Sequence, residues 1–161
     1  MKKNVIKIAL GLLIFSFTAC NTDAKKTEET TNTEQTTDAE ETTVSFKTAE
    51  NYFVKNTVKE PVPVKITTQK EFDNYFGMAA TMGENGKPTP IDFSKEYIIV
   101  ADYADTNKQV EMTPVSLEQK GGDLVFNYTV TEGEDAGFTS HPFLMLIVSN
   151  DTTGNVVLQK N

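Results

Sequence analysis

Residues 91–103 (IDFSKEYIIVADY) carry the most strand-like pattern in the first two thirds of the chain. Read with a period of two, Ile98 and Val100 face one way, while Tyr97, Ile99, Ala101 and Tyr103 face the other. Apolar side chains on both faces predict a central strand, covered on each side. Residues 143–148 (FLMLIV) repeat the pattern and predict a second central strand. Residues 124–130 alternate most cleanly, with Leu124, Phe126, Tyr128 and Val130 opposite Val125, Asn127 and Thr129.

Weaker patterns fill in the rest. A short strand is expected near residues 52–55. Val62, Val64 and Ile66 share one face behind Pro61 and Pro63, which marks an edge strand. Val110 and Met112 are out of phase with Val115 and Leu117 across Pro114, so a bulge or sheet edge is expected there. Residues 120–123 (KGGD) read as a hairpin turn, and residues 150–155 turn the chain into a last strand over 156–159. Thr68 and Glu71 fit a capping box. Phe72, Tyr75 and Phe76 follow on one helical face, and Gly77 is placed to stop a helix of about two turns. Residues 104–108 read as a polar turn, and residues 78–90 and 132–141 as two long loops. The fold class is therefore α+β: six or seven mostly antiparallel strands with one short helix, in a small sheet or half-open barrel.

The first residues do not share these patterns. Lys2, Lys3 and Lys7 precede an apolar run over residues 8–17, and then Thr18, Ala19 and Cys20. This is the layout of an exported signal, over residues 1–19, with Cys20 placed to become a lipidated N-terminus. The apolar run is too short to span a bilayer. Cys20 is also the single cysteine, so no intrachain disulfide is possible and an unpaired thiol in an exported chain needs a purpose.

Residues 21–43 contain no large apolar side chain and hold seven acids against two lysines, a net charge of −5. With Cys20 they make residues 20–43 a lipidated cysteine and a disordered acidic tether, since such a segment buries too little to offset its ordering entropy. Its reach is about 25 to 30 Å. Residues 44–161 form a single β-rich domain with 16 acids, 10 lysines and no arginine. That balance argues against nucleic acid and against direct adsorption to anionic lipid. The expected location is the cell envelope, lipid-anchored to the outer membrane, and the expected state is a monomer.

Few residues carry chemistry. His141 is the only histidine, so transition-metal sites lack ligands and no cofactor is expected. Glu132, Glu134 and Asp135 lack the spacing of a calcium loop and read as a solvated acidic loop; Asp102, Asp105 and Asn107 are no closer to one. There is no phosphate-cradling glycine loop and no Gly-x-Ser-x-Gly. Asp151-Thr152-Thr153 resembles a short O-glycosylation acceptor, though turn chemistry accounts for it as well.

The order of Thr67-Thr68-Gln69-Lys70-Glu71-Phe72, then Ile91-Asp92-Phe93-Ser94-Lys95-Glu96, then Gly121-Gly122-Asp123-Leu124-Val125, and finally His141-Pro142-Phe143-Leu144 resembles the C-terminal domain of PrcB-type protease-complex lipoproteins. It is also similar to small Bacteroidota lipoproteins that act as protease inhibitors. In place of the glycine-rich turn usual after the central strand of such domains stands Asp102-Tyr103-Ala104-Asp105-Thr106-Asn107. The resemblance implies a protein-binding module that binds or inhibits an exported protease or another envelope protein. Met78, Met82, Phe138 and His141 are the expected contacts, because exposed Met and aromatic side chains favour interfaces. The alternatives are a hydrolase using Asp102 or Glu134 with His141, and a structural or glycan-contacting subunit with Tyr97 and Tyr103 as platforms.

Overall fold

The computed structural model describes residues 41–79 and 86–161. Ten strands and one helix lie among them: β1 (Glu41–Thr43), β2 (Lys47–Thr48), β3 (Tyr52–Val54), β4 (Lys65–Ile66), α1 (Gln69–Tyr75), β5 (Phe76–Met78), β6 (Glu96–Asp102), β7 (Thr106–Lys120), β8 (Asp123–Ser140), β9 (Phe143–Ser149) and β10 (Asn155–Lys160). They form one sheet of order β1-β7-β8-β10, a second of order β2-β9-β6-β4, and the pair β3-β5. The α+β reading holds, with no sheet closed into a barrel. The pairing is antiparallel except that β10 runs parallel to β8.

One long, bent hairpin dominates. β6 pairs with β9 from Glu96↔Ser149 to Asp102↔Phe143, and β7 pairs with β8 from Thr106↔Ser140 to Lys120↔Asp123. Between the two ladders the Tyr103 amide donates to the Pro142 carbonyl at 3.0 Å. The chain thus leaves β6 for β7 and returns from β8 to β9 as a continuous ribbon, turning at Gly121 and Gly122 and folding at residues 103–105 and 141–142.

The fold-back is driven by burial. Leu117, Leu124 and Phe126 from the tip half meet Tyr97, Ile99, Ala101, Leu144, Leu146 and Val148 from the base half. Ile98, Val100, Met145 and Ile147, on the other face of β6 and β9, pack against Val54, Phe72 and Phe76. Both faces of the two central strands are therefore covered, as their two-sided apolar pattern requires. Helix α1 starts at Thr68, whose hydroxyl accepts from the Glu71 amide at 3.2 Å. Seven residues are too few for a stable isolated helix, so packing of Phe72 holds it in place.

The phase change across Pro114 is a bulge: Pro114 faces Tyr128 but Ser116 faces Asn127, leaving Val115 as the extra residue. It puts Met112 and Leu117 on the same core face despite their odd spacing.

Four expectations are corrected. Residues 132–141 are not a loop, because β8 continues through Ser140; backbone ladder bonds form there without an alternating side-chain pattern. The polar turn at 104–108 shortens for the same reason, since β7 begins at Thr106. Gly77 does not stop the helix but lies within β5 beneath the Phe53 ring, where a Cβ would stand 2.5 Å from the ring's Cζ. Strand pairing begins at Glu41, inside the stretch assigned to the tether, because Glu41 meets Lys120 and its Nζ at 3.3 Å.

Candidate partner-binding site

The fold of the ribbon is also where its chemistry gathers. At the end of β6, Asp102 presents a carboxylate; three residues on, Asp105 presents another; across the ribbon stands His141, immediately before Pro142. His141 Nε2 lies 2.7 Å from Asp102 Oδ1, and its Nδ1 lies 2.9 Å from Asp105 Oδ1. The other Asp102 oxygen accepts from the Val62 amide at 3.4 Å. The side chains of His141 and Asp102 are about three-quarters buried, with 25% and 23% exposed, whereas Asp105 is 71% exposed. With both ring nitrogens on carboxylates, the imidazole acts as a strut across the corner.

Just above this strut, β8 is longer than its partner. From the Thr106↔Ser140 pair to the Lys108↔Asp135 pair, β7 advances two residues and β8 advances five. The three extra residues make a wide bulge, a device that turns strands around corners and re-aims side chains. Gly137 sits in it at φ 75°, a conformation open to glycine at little cost. Asp135 braces the bulge with both oxygens, accepting from the Gly137 amide at 2.7 Å and the Asn107 side chain at 2.8 Å. Phe138 is thrown outward and left 65% exposed.

Glu132 ties the same region together. It accepts from the Tyr103 hydroxyl at 2.5 Å and from Lys108 Nζ at 2.6 Å. The Lys108 bond, followed by that from Tyr103, holds the Glu132 carboxyl below the usual range. Glu132 and Asp135 are thereby engaged with neighbours, and among the described residues no three acids, histidines or cysteines converge as metal ligands.

A cleft of about 540 Å³ opens beside the strut. Tyr52, Phe53 and Lys55 from β3 and the residue after it form one side, and Thr139, Ser140 and His141 the other. Lys55 is held by its ammonium on the Asp73 carbonyl. On the far side of Tyr52 lies a more apolar groove of about 330 Å³, with Met78, Phe72 and Phe93 in its wall. The two clefts share Tyr52, whose hydroxyl donates to the Thr89 carbonyl at 2.7 Å.

No family model, curated protein or solved structure matches this chain.

Of the expected contacts, His141 stands at the corner, Phe138 is exposed in the bulge three residues before it, and Met78, 68% exposed, stands on the rim of the second groove. Met82 and the lipidation residue Cys20 lie outside the described residues. Asp102 does reach His141, as the hydrolase alternative required, but Glu134 is exposed and makes no such pair. Tyr97 is withdrawn into the core with its hydroxyl on the Thr152 carbonyl at 3.1 Å, whereas Tyr103 is half-buried with its hydroxyl on Glu132. Asp105 and Phe53 stand beside the expected contacts without being among them. Asp105 lies 36 residues from His141, and Phe53 is set by its pairing with Gly77, so neither leaves a local signal.

Proposed function

We propose that this chain is an exported lipoprotein, anchored through Cys20, whose folded domain binds another protein at the corner of its bent hairpin. The partner implied by the resemblance is an exported protease of the same envelope, which the domain binds and inhibits. The observation that supports this reading is Phe138. A bulge that makes β8 three residues longer than the facing stretch of β7, braced by Asp135, holds a large aromatic side chain in solvent. Aromatic side chains are enriched in protein interfaces and among their central contacts.

The layout favours presentation to a partner. The chain arrives from the tether at β1, which pairs with the tip end of β7 at residues 118–120. The corner is at the opposite end of β7, roughly 40 Å along the strand. An anchored domain can therefore keep its attachment and its binding surface apart.

The test is a titration of the full chain against serine, cysteine and metalloproteases of the same envelope, following residual activity and co-elution. Stoichiometric inhibition or a stable complex is expected with one class. Phe138→Ala should weaken it by at least about tenfold, the loss expected for a central aromatic anchor, while thermal stability stays unchanged. A flat panel, or a Phe138→Ala variant that binds as well as the parent, overturns the reading.

A further inference from the structure

The two contacts of His141 make different demands on the ring. A neutral imidazole has one N–H and one lone pair, and only the doubly protonated ring donates from both nitrogens. Here both nitrogens stand within 3 Å of carboxylate oxygens, 2.7 Å to Asp102 and 2.9 Å to Asp105. Carboxylates only accept. That geometry suits an imidazolium held between two anions; in a neutral ring one lone pair would face an oxygen of like polarity.

We infer that His141 is a proton-operated latch on the corner, closed when the ring is doubly protonated and released at Asp105 when it is not. Asp105 is the partner that lets go. Its side chain is largely in water, whereas Asp102 is mostly buried and also accepts from the Val62 amide. Release loosens residues 104–105, between the Tyr103 amide bond to Pro142 and the start of β7, next to the bulge that carries Phe138. Histidine is the side chain type whose charge can change between about pH 5 and 8.

The other charged groups around the ring do not replace the latch. Lys55 and Lys59 line the clefts with His141, as does Glu60 on the Asp102 side. Lys55 is held on the Asp73 carbonyl and Lys59 on the Asn56 carbonyl at 3.2 Å. Glu132 and Lys108 are engaged with each other and with Tyr103. The inference rests on the proposed function only in taking the corner as the binding surface; the latch itself is a property of the free chain.

The test is amide hydrogen exchange on the full chain from pH 5 to 8, expressed as protection after correction for intrinsic exchange, alongside nitrogen-15 spectra of the His141 ring. Both ring N–H groups should be present at the acid end. As the ring loses a proton, protection of residues 103–108 and 136–140 should fall at least about tenfold, the factor for losing one hydrogen bond to a charged group. The β6 and β9 amides should not change. Asp105→Asn is the decisive variant. Its amide donates to the bare Nδ1 of a neutral ring while Nε2–H keeps Asp102, so the corner should stay protected across the whole range. His141→Gln should leave it open throughout. Unchanged protection through the titration in the parent, or a parental pH dependence in Asp105→Asn, overturns the latch. A flat exchange profile with Phe138-dependent binding intact removes the latch alone, and a titrating corner that binds nothing removes the binding reading alone.

Discussion

Phe72 is the residue on which the outer layer depends, and Phe72→Ala measures that dependence. It is the single buried residue of α1, at 3% exposure. Its ring meets Tyr52 edge-on at 5.2 Å, stacks on Phe76 at 5.1 Å and tilts against Phe93 at 5.7 Å. Removing a buried phenylalanine costs about 3–5 kcal/mol through lost transfer energy and the cavity left behind. Three ring contacts, each worth about 0.5–1.5 kcal/mol beyond area, put this site at the upper end of that range. A domain of this size has roughly 5–15 kcal/mol in all, so the variant should fold with little to spare. Urea unfolding followed by far-ultraviolet circular dichroism should show a loss of about 4–5 kcal/mol, and the melting midpoint should fall by about 12–25 °C. Phe72→Leu should recover part of it. A loss below about 1.5 kcal/mol, in the range of ordinary surface-to-boundary changes, would refute the idea that Phe72 clamps α1 to the β6-β9 face.

Two further outcomes are expected. Gly77→Ala should cost about 1–3 kcal/mol, as overpacking does, because the new Cβ falls 2.5 Å from the Phe53 ring; in a Phe53→Ala background the penalty should largely vanish, which a double-mutant cycle reads directly. Acid should destabilise the domain in a defined window: hydrogen bonds from Ser116, then Lys120, hold Glu118 down to about 2, and Glu132 and Asp92 are lowered by their own neighbours. Folded values below unfolded ones give stability that is complete above about pH 4.5 and lost as pH falls toward 2; urea midpoints taken across that window should decline, and Glu118→Gln should flatten the decline.

The parts of the fold that were legible share one property: their signal is carried by side chains in contact. β6 and β9 declare themselves through residues such as Ile98, Ile99, Leu146 and Ile147, which need cover on two sides. The Pro114 bulge shows as a phase slip between Met112 and Leu117, and the start of α1 as the Thr68 hydroxyl three residues before Glu71. The far half of β8 has no such signal. Residues 131–140 face solvent on both sides of a two-stranded ribbon, so no alternation is selected, and Gly133 and Gly137 look like loop residues while serving a bulged strand. β10 was found as a strand but not as a parallel neighbour of β8, because its partner is fixed by the route of the chain from β9. For the site, Phe138 and His141 were visible as unusual residues. The His141 contacts were not, since Asp102 and Asp105 come next to it only when the hairpin bends.

The same bend explains why stability and adjustability sit in different parts of this domain. The tip and base halves of the hairpin are fastened by Leu117, Phe126, Ile99 and Leu146, all fully buried, and opening them exposes the core. The corner has no such cover. Between residues 103 and 111 on one strand and 131 and 142 on the other, no side chain is fully buried, and the geometry is set by Glu132, Asp135 and the two carboxylates on His141. Regions with few buried apolar contacts and solvent-exposed hydrogen bonds open at the lowest free-energy cost. A change in one of these polar contacts can therefore move residues 136–139 while the packed halves stay fixed. Phe138 is held on that adjustable segment, so its position answers to the corner and its support to the core.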